Sequence, residues 1–165
     1  MPIMAIGGVL GVNLTVTEPG SGTNGDQGND FPLGTTVAGT DGTRWMFVHA
    51  AGAITQYQVV GIDENFEASP LTKAMADDGW FIGFAQIAFA DNDFGWVAIE
   101  GSNIKGKCLA NCALDVSLYT SATAGSLDDA STSQTKIDGV VAVSAVGSTA
   151  AAVTLIATGP RASTF

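Results

Sequence analysis

Gly95-Trp96-Val97-Ala98-Ile99-Glu100-Gly101-Ser102-Asn103-Ile104-Lys105-Gly106-Lys107-Cys108-Leu109 admits two readings, and the choice between them decides the fold class. Read for motifs, Gly101 to Lys107 satisfies G-x-x-x-x-G-K, which in a phosphate-binding loop follows a strand and opens a helix. The next position should then supply a serine or threonine hydroxyl for Mg²⁺, and Cys108 supplies a thiol suited to softer metals instead. Read for periodicity, the stretch is two short apolar strands, Gly95 to Glu100 and Asn103 to Leu109, joined at a glycine. No alternation of strands with helices surrounds it, so the strand reading stands.

The same rhythm extends outward from this stretch. Strands are expected near Thr43 to His49, Gln56 to Ile62, Phe81 to Phe89, Asp115 to Tyr119, Ile137 to Ala145 and Ala151 to Ala157. Asp91-Asn92-Asp93 and Val146-Gly147-Ser148 supply hairpin loops. Leu71 to Asp78 is the one convincing helical turn. The expected fold is all-β, mostly strand with at most one or two short helical turns, in a compact barrel- or sandwich-like domain. Shifting the chain by 56 positions pairs Val60 with Val116, Gly83 with Gly139 and Val97 with Val153, with apolar character kept at Ile62 and Leu118 and at Ile99 and Leu155. A doubled β unit is one reading of that order.

The chain divides at residue 34 into an extended N-terminal segment, 1–34, and a β domain, 35–165. Glu18 to Asp30 is almost wholly turn-forming, and its Gly20-Ser21-Gly22-Thr23-Asn24-Gly25 fits G-x-G-x-x-G. Asp26 to Pro32 follows where a dinucleotide site needs a helix, so a loop is expected there. Before it, Ile3, Met4, Ile6, Val9, Leu10, Val12 and Leu14 lie on a backbone loosened by Gly7, Gly8 and Gly11. A segment so apolar is expected to dock, either on a neighbouring subunit or coat protein or along its own domain's sheet.

Charge excludes a class of partners. Sixteen acidic residues against six lysines and arginines give a net charge of −10, the wrong sign for nucleic-acid binding. The start of the chain lacks a basic n-region and no apolar run approaches 20 residues, so neither a signal peptide nor a membrane span is expected. His49, the only histidine, reads as a packing or rim residue, and no G-x-S-x-G accompanies it. Cys108 and Cys112 read as small buried hydrophobes made in a reducing cytoplasm. If they share one strand, their Cα atoms lie about 13 Å apart, beyond disulfide reach. With His49 they fall short of four zinc ligands, although a carboxylate would complete a set. Neither a catalytic group, a cofactor nor a metal site is assigned. Among the aromatic residues Trp45, Phe47 and Trp96 are the candidates for a subunit interface.

From about Trp45 to Ile156 the chain resembles the small decoration, or cement, proteins of tailed-bacteriophage capsids. The resemblance lies in Ala50-Ala51-Gly52-Ala53-Ile54 leading to Val59-Val60-Gly61-Ile62, in Ile82-Gly83-Phe84-Ala85 and in Gly95 to Gly101. It continues in Asp115 to Tyr119, Ile137-Asp138-Gly139-Val140-Val141 and Val153-Thr154-Leu155-Ile156. It implies a non-enzymatic virion protein, often a homotrimer, made in the host cytoplasm. Such a protein sits on the capsid exterior and braces the major capsid protein lattice. The alternative is a head- or tail-fibre module that binds a host-surface receptor or glycan.

Overall fold

The computed structural model describes residues 5–6, 12–20 and 31–163. In order, the elements are β1 (Ala5–Ile6), β2 (Thr17–Glu18), β3 (Thr36–Gly39), β4 (Arg44–Ala50), β5 (Val59–Ile62), β6 (Glu67–Pro70), α1 (Lys73–Asp77) and β7 (Phe81–Phe84). They continue with β8 (Phe94–Cys108), β9 (Ser117–Thr120), β10 (Leu127–Asp128), β11 (Lys136–Ala142) and β12 (Ala151–Ala162). The chain is therefore all-β, and its one helix among the described residues is the expected short turn, capped by the Thr72 hydroxyl on the Met75 N–H.

The two strands expected in Gly95 to Leu109 are one strand of 15 residues, and it belongs to two closed circuits of pairing. In the first, β4 pairs with β6 in parallel, β6 with β5, β5 with β7, β7 with β8, and β8 with β4. In the second, β8 pairs with β10 in parallel, β10 with β9, β9 with β11, β11 with β12, and β12 with β8. Strand for strand the circuits match, sense included. The first half of β8 closes ring one, and its second half opens ring two in the place that β4 holds in ring one. Ile62 faces Phe81 as Leu118 faces Ile137, a displacement of 56 residues on both strands. Tyr57 and Asp115 repeat one another too, both at positive φ (68° and 56°) and both donating a backbone N–H, to Ala85 and to Ala142. The doubled unit is thus present in the pairing.

Passing from one ring to the other requires a break in the pleat. Register slips on the β4 side between Arg44 and Trp45 and on the β12 side between Leu155 and Ala157. Between them Gly101 takes φ +145°, with the Thr43 Cγ2 methyl only 2.6 Å from where a Cβ would stand. The gap between β7 at Ala98 and β10 at Cys108 is sealed by Gln86, whose side-chain amide both donates to the Lys105 carbonyl (2.9 Å) and accepts from the Lys105 N–H (3.0 Å). A buried backbone pair left open there would cost about 1–3 kcal/mol. Gly101 to Cys108 is accordingly strand, its residues paired with β12, and not the loop and helix of a phosphate site.

Ring one is filled from within by Met46, Val48, Ala50, Val60, Ile62, Ala68 and Val97, with Gly83 leaving room for the Val97 and Ile62 side chains. Its opposite face is buried as well. Trp45, Phe47, Ile82, Phe84 and Trp96 join the interior of ring two, including Ile104, Leu118, Leu127 and Leu155, in one continuous core. Gly101→Val is expected to lower stability by about 2–4 kcal/mol, because it adds strain at positive φ to a clash with Thr43. Gly147→Ala, where nothing lies within 4 Å, serves as a near-neutral control in denaturant unfolding.

Candidate functional site

The aromatic residues expected at an interface are interior. Trp45, Phe47 and Trp96 are at most 1% exposed. Phe31 lies across two of them, with ring centroids 5.5 Å from Phe47 and 5.3 Å from Trp96. Leu14 is fully buried in the same cluster and Val12 packs on it, so these two serve the chain's own core. Ile6 lies in β1, which pairs with β3, and β2 pairs with β8 at Gly95 and Phe94. Where it is described, the 1–34 segment pairs with its own sheet through β1 and β2. Ile3, Met4, Val9 and Leu10 lie outside the described residues.

The exposed large apolar side chains among the described residues are Val16, Phe81, Leu114, Val141, Val143 and Ile156. Phe81 is 56% exposed, and Val141, Val143 and Ile156 stand out from ring two. Val141 and Ile156 are direct cross-strand partners on β11 and β12, and the Val143 N–H donates to the Thr154 carbonyl one step along. These β-branched residues occupy the outward phase of strands whose inward phase is Val140, Ala142, Val153 and Leu155. Three to four residues further along β12, about 10–13 Å, Gly159 and Pro160 line a groove of about 220 Å³ shared with Met46, Phe81, Ile82 and Ile99. The Arg44–Glu100 ion pair at 3.1 Å borders it. Strand β12 therefore links two patches of exposed apolar surface, the feature that marks a partner-binding face when it is contiguous.

A second depression is polar. Lys73, Asp77, Tyr119, Gln134, Thr135, Lys136 and Ser163 line a cleft of about 570 Å³ between α1 and ring two. Hydrogen bonds from Lys73 and from the Thr135 hydroxyl hold the Asp77 carboxyl below the usual carboxylate range. Asp138 raises Lys136 and is itself lowered by it across 2.8 Å. Away from this cleft, His49 stacks on Phe94 at 4.7 Å and reaches Glu67 at 3.7 Å, a rim position.

The cysteines do not share a strand. Cys108 ends β8, the chain turns through Ala110 and Asn111 (φ 64°), and Cys112 folds back so that the two thiols interact. Burial pushes both thiols up. Asp128 and Asp129 face them, and the Asp128 carboxyl is raised by burial too. Reading Cys108 and Cys112 with His49 missed this cluster.

No family model, curated protein or solved structure matches the chain. Leu14→Ala is expected to destabilise the chain by about 2–4 kcal/mol in urea unfolding, as a core truncation does. A segment that served only as an external anchor would leave the unfolding midpoint unchanged.

Proposed function

We propose that this chain is a structural virion protein that binds the outer surface of an assembled tailed-phage capsid as a decoration protein. In this reading it is non-enzymatic, self-associates as a homotrimer, is made in the host cytoplasm and ends on the capsid exterior. The observation that carries the reading is the pair of exposed apolar patches, Phe81 on one and Val141, Val143 and Ile156 on the other, that β12 links on a doubly closed β body of net charge −10. A brace needs a rigid body and an adhesive face. A protein that binds only the assembled lattice stabilises it by mass action, and many identical copies multiply a modest contact. The resemblance seen in the sequence points the same way.

One observation favours a second reading. The cleft around Tyr119 combines an aromatic ring with lysine, glutamine and hydroxyl groups, which suits a host-surface glycan and a fibre or adhesin role.

Adding the purified protein to heads lacking decoration separates the two. The first reading expects density at every equivalent lattice site by cryo-imaging and a higher temperature of head disruption. Phe81→Asp should weaken that binding by about 10-fold or more, given the 1.5–3 kcal/mol of a buried large apolar side chain. Attachment at a few tail or fibre positions, or lattice binding unchanged by Phe81→Asp, would contradict it.

A further inference from the structure

The two rings give the molecule an internal comparison, because their strands pair in the same order and sense. Cys108 corresponds to Ala50, since each ends the strand that pairs in parallel, with Leu127 and with Ala68 respectively. Cys112 corresponds to Ile54: the Cys112 carbonyl accepts from the Val146 N–H as the Ile54 carbonyl accepts from the Phe89 N–H. Asp128 and Asp129 follow Leu127 as Ser69 and Pro70 follow Ala68, although β10 faces Thr120 and Tyr119 where β6 faces Ile62 and Gly61. Ring one closes this end with a methyl, a branched alkyl chain, a short hydroxyl and a proline. Ring two has thiols in place of Ala50 and Ile54, and two carboxylates on the strand beside them.

Nothing in packing alone asks for this set. Ala50 and Ile54 are buried in ring one as fully as Cys108 and Cys112 are in ring two, so the site accepts apolar side chains. The Cys112 sulfur and one carboxylate oxygen each from Asp128 and Asp129 lie within 4.8 Å of one another. Cys108, buried at the end of β8, lies outside that 4.8 Å group and would complete the set as a second sulfur by turning toward it. Asp129 is oriented from outside the cluster, its Oδ2 accepting the Ala113 N–H at 2.9 Å.

We propose that Cys108, Cys112, Asp128 and Asp129 bind one thiophilic divalent cation of the zinc type at this end of the second ring. Metal–sulfur bonds of about 2.3 Å and metal–oxygen bonds of about 2.0–2.2 Å place tetrahedral ligand atoms about 3.3–3.8 Å apart, so shifts of about 1 Å close Cys112, Asp128 and Asp129 around the ion, with Cys108 moving in as the fourth ligand. Binding replaces the two thiol protons, which pass to solvent, and the cation offsets two of the four negative charges it gathers. A hard cation such as Ca²⁺ or Mg²⁺ is disfavoured, because two of the four ligands are sulfur. The bound ion would tie the 109–113 turn to β10, stapling the end of ring two that hydrophobic packing closes in ring one. The inference is independent of what the outer apolar face binds.

The test uses the full chain, chelator-stripped and kept reduced. Co²⁺ as probe should saturate at one equivalent with a thiolate-to-cobalt charge-transfer band and tetrahedral d–d absorption, both removed by one equivalent of Zn²⁺. Zn²⁺ should raise the Tm where the same concentration of Mg²⁺ does not. Asp129→Asn should weaken Zn²⁺ at least tenfold with the circular dichroism spectrum unchanged, and Cys112→Ser should remove most of the charge-transfer intensity. Absence of the charge-transfer band in the unsubstituted chain would overturn the proposal without reliance on any variant, and so would Zn²⁺ affinity unchanged in Asp129→Asn.

Discussion

Backbone hydrogen bonding along β8 is the constraint on which the molecule depends. Fifteen residues of one strand must satisfy their N–H and C=O groups against two circuits of neighbours, β4 and β7 first, β12 and β10 afterwards. A buried strand cannot leave such groups unpaired without a cost of kcal/mol per group. That requirement explains the slips of register on either side of Gly101 and the Gln86 side chain that fills in at Lys105. It also explains why the N-terminal segment is bound into the fold, since β2 joins β8 at Phe94 and Gly95.

Sharing a strand places the two rings against each other with their apolar surfaces merged. Trp45, Phe47 and Trp96 point away from the ring-one interior, yet they form the floor under Leu14, Phe31 and Val37 and are continuous with the ring-two core. The rings differ where that merging does not reach. Ring two turns Val141, Val143 and Ile156 outward and gathers thiols and carboxylates at one end, whereas ring one offers Phe81 beside β12 and closes the matching end with Ala50 and Ile54. Function is sought at these departures from the duplicate pattern, because the shared pattern is accounted for by packing.

Much of the fold was legible in the sequence. Period-two runs mark β4, β8, β11 and β12, and the 56-residue displacement holds where Ile62 faces Phe81 as Leu118 faces Ile137, while Ala50 and Cys108 stand 58 apart. The strands β3, β6 and β10 were not legible, because their two to four residues carry few large apolar side chains, unlike the equally short β5 and β7. The aromatic assignment failed for a physical reason. Alternation separates the two faces of a strand but does not say that both are covered, and in ring one the second face is covered by Leu14 and Phe31, distant in sequence. Phe81 likewise cannot be told from Phe84 by residue type, although one is 56% exposed and the other fully buried. The cysteine cluster was hidden by the assumption of a straight strand, which the turn at Asn111 breaks.

The central claim is that one strand makes two matched rings into a single cooperative body. Native-state hydrogen exchange on the full chain tests it most directly, by resolving the opening free energy of individual amides. The account predicts that the β8 amides of Trp96, Ala98, Ile104 and Gly106 are among the slowest to exchange and share one opening free energy with β5 of ring one and β11 of ring two. Two separate plateaus, with ring one and ring two opening at different free energies and β8 dividing at Gly101, would contradict it.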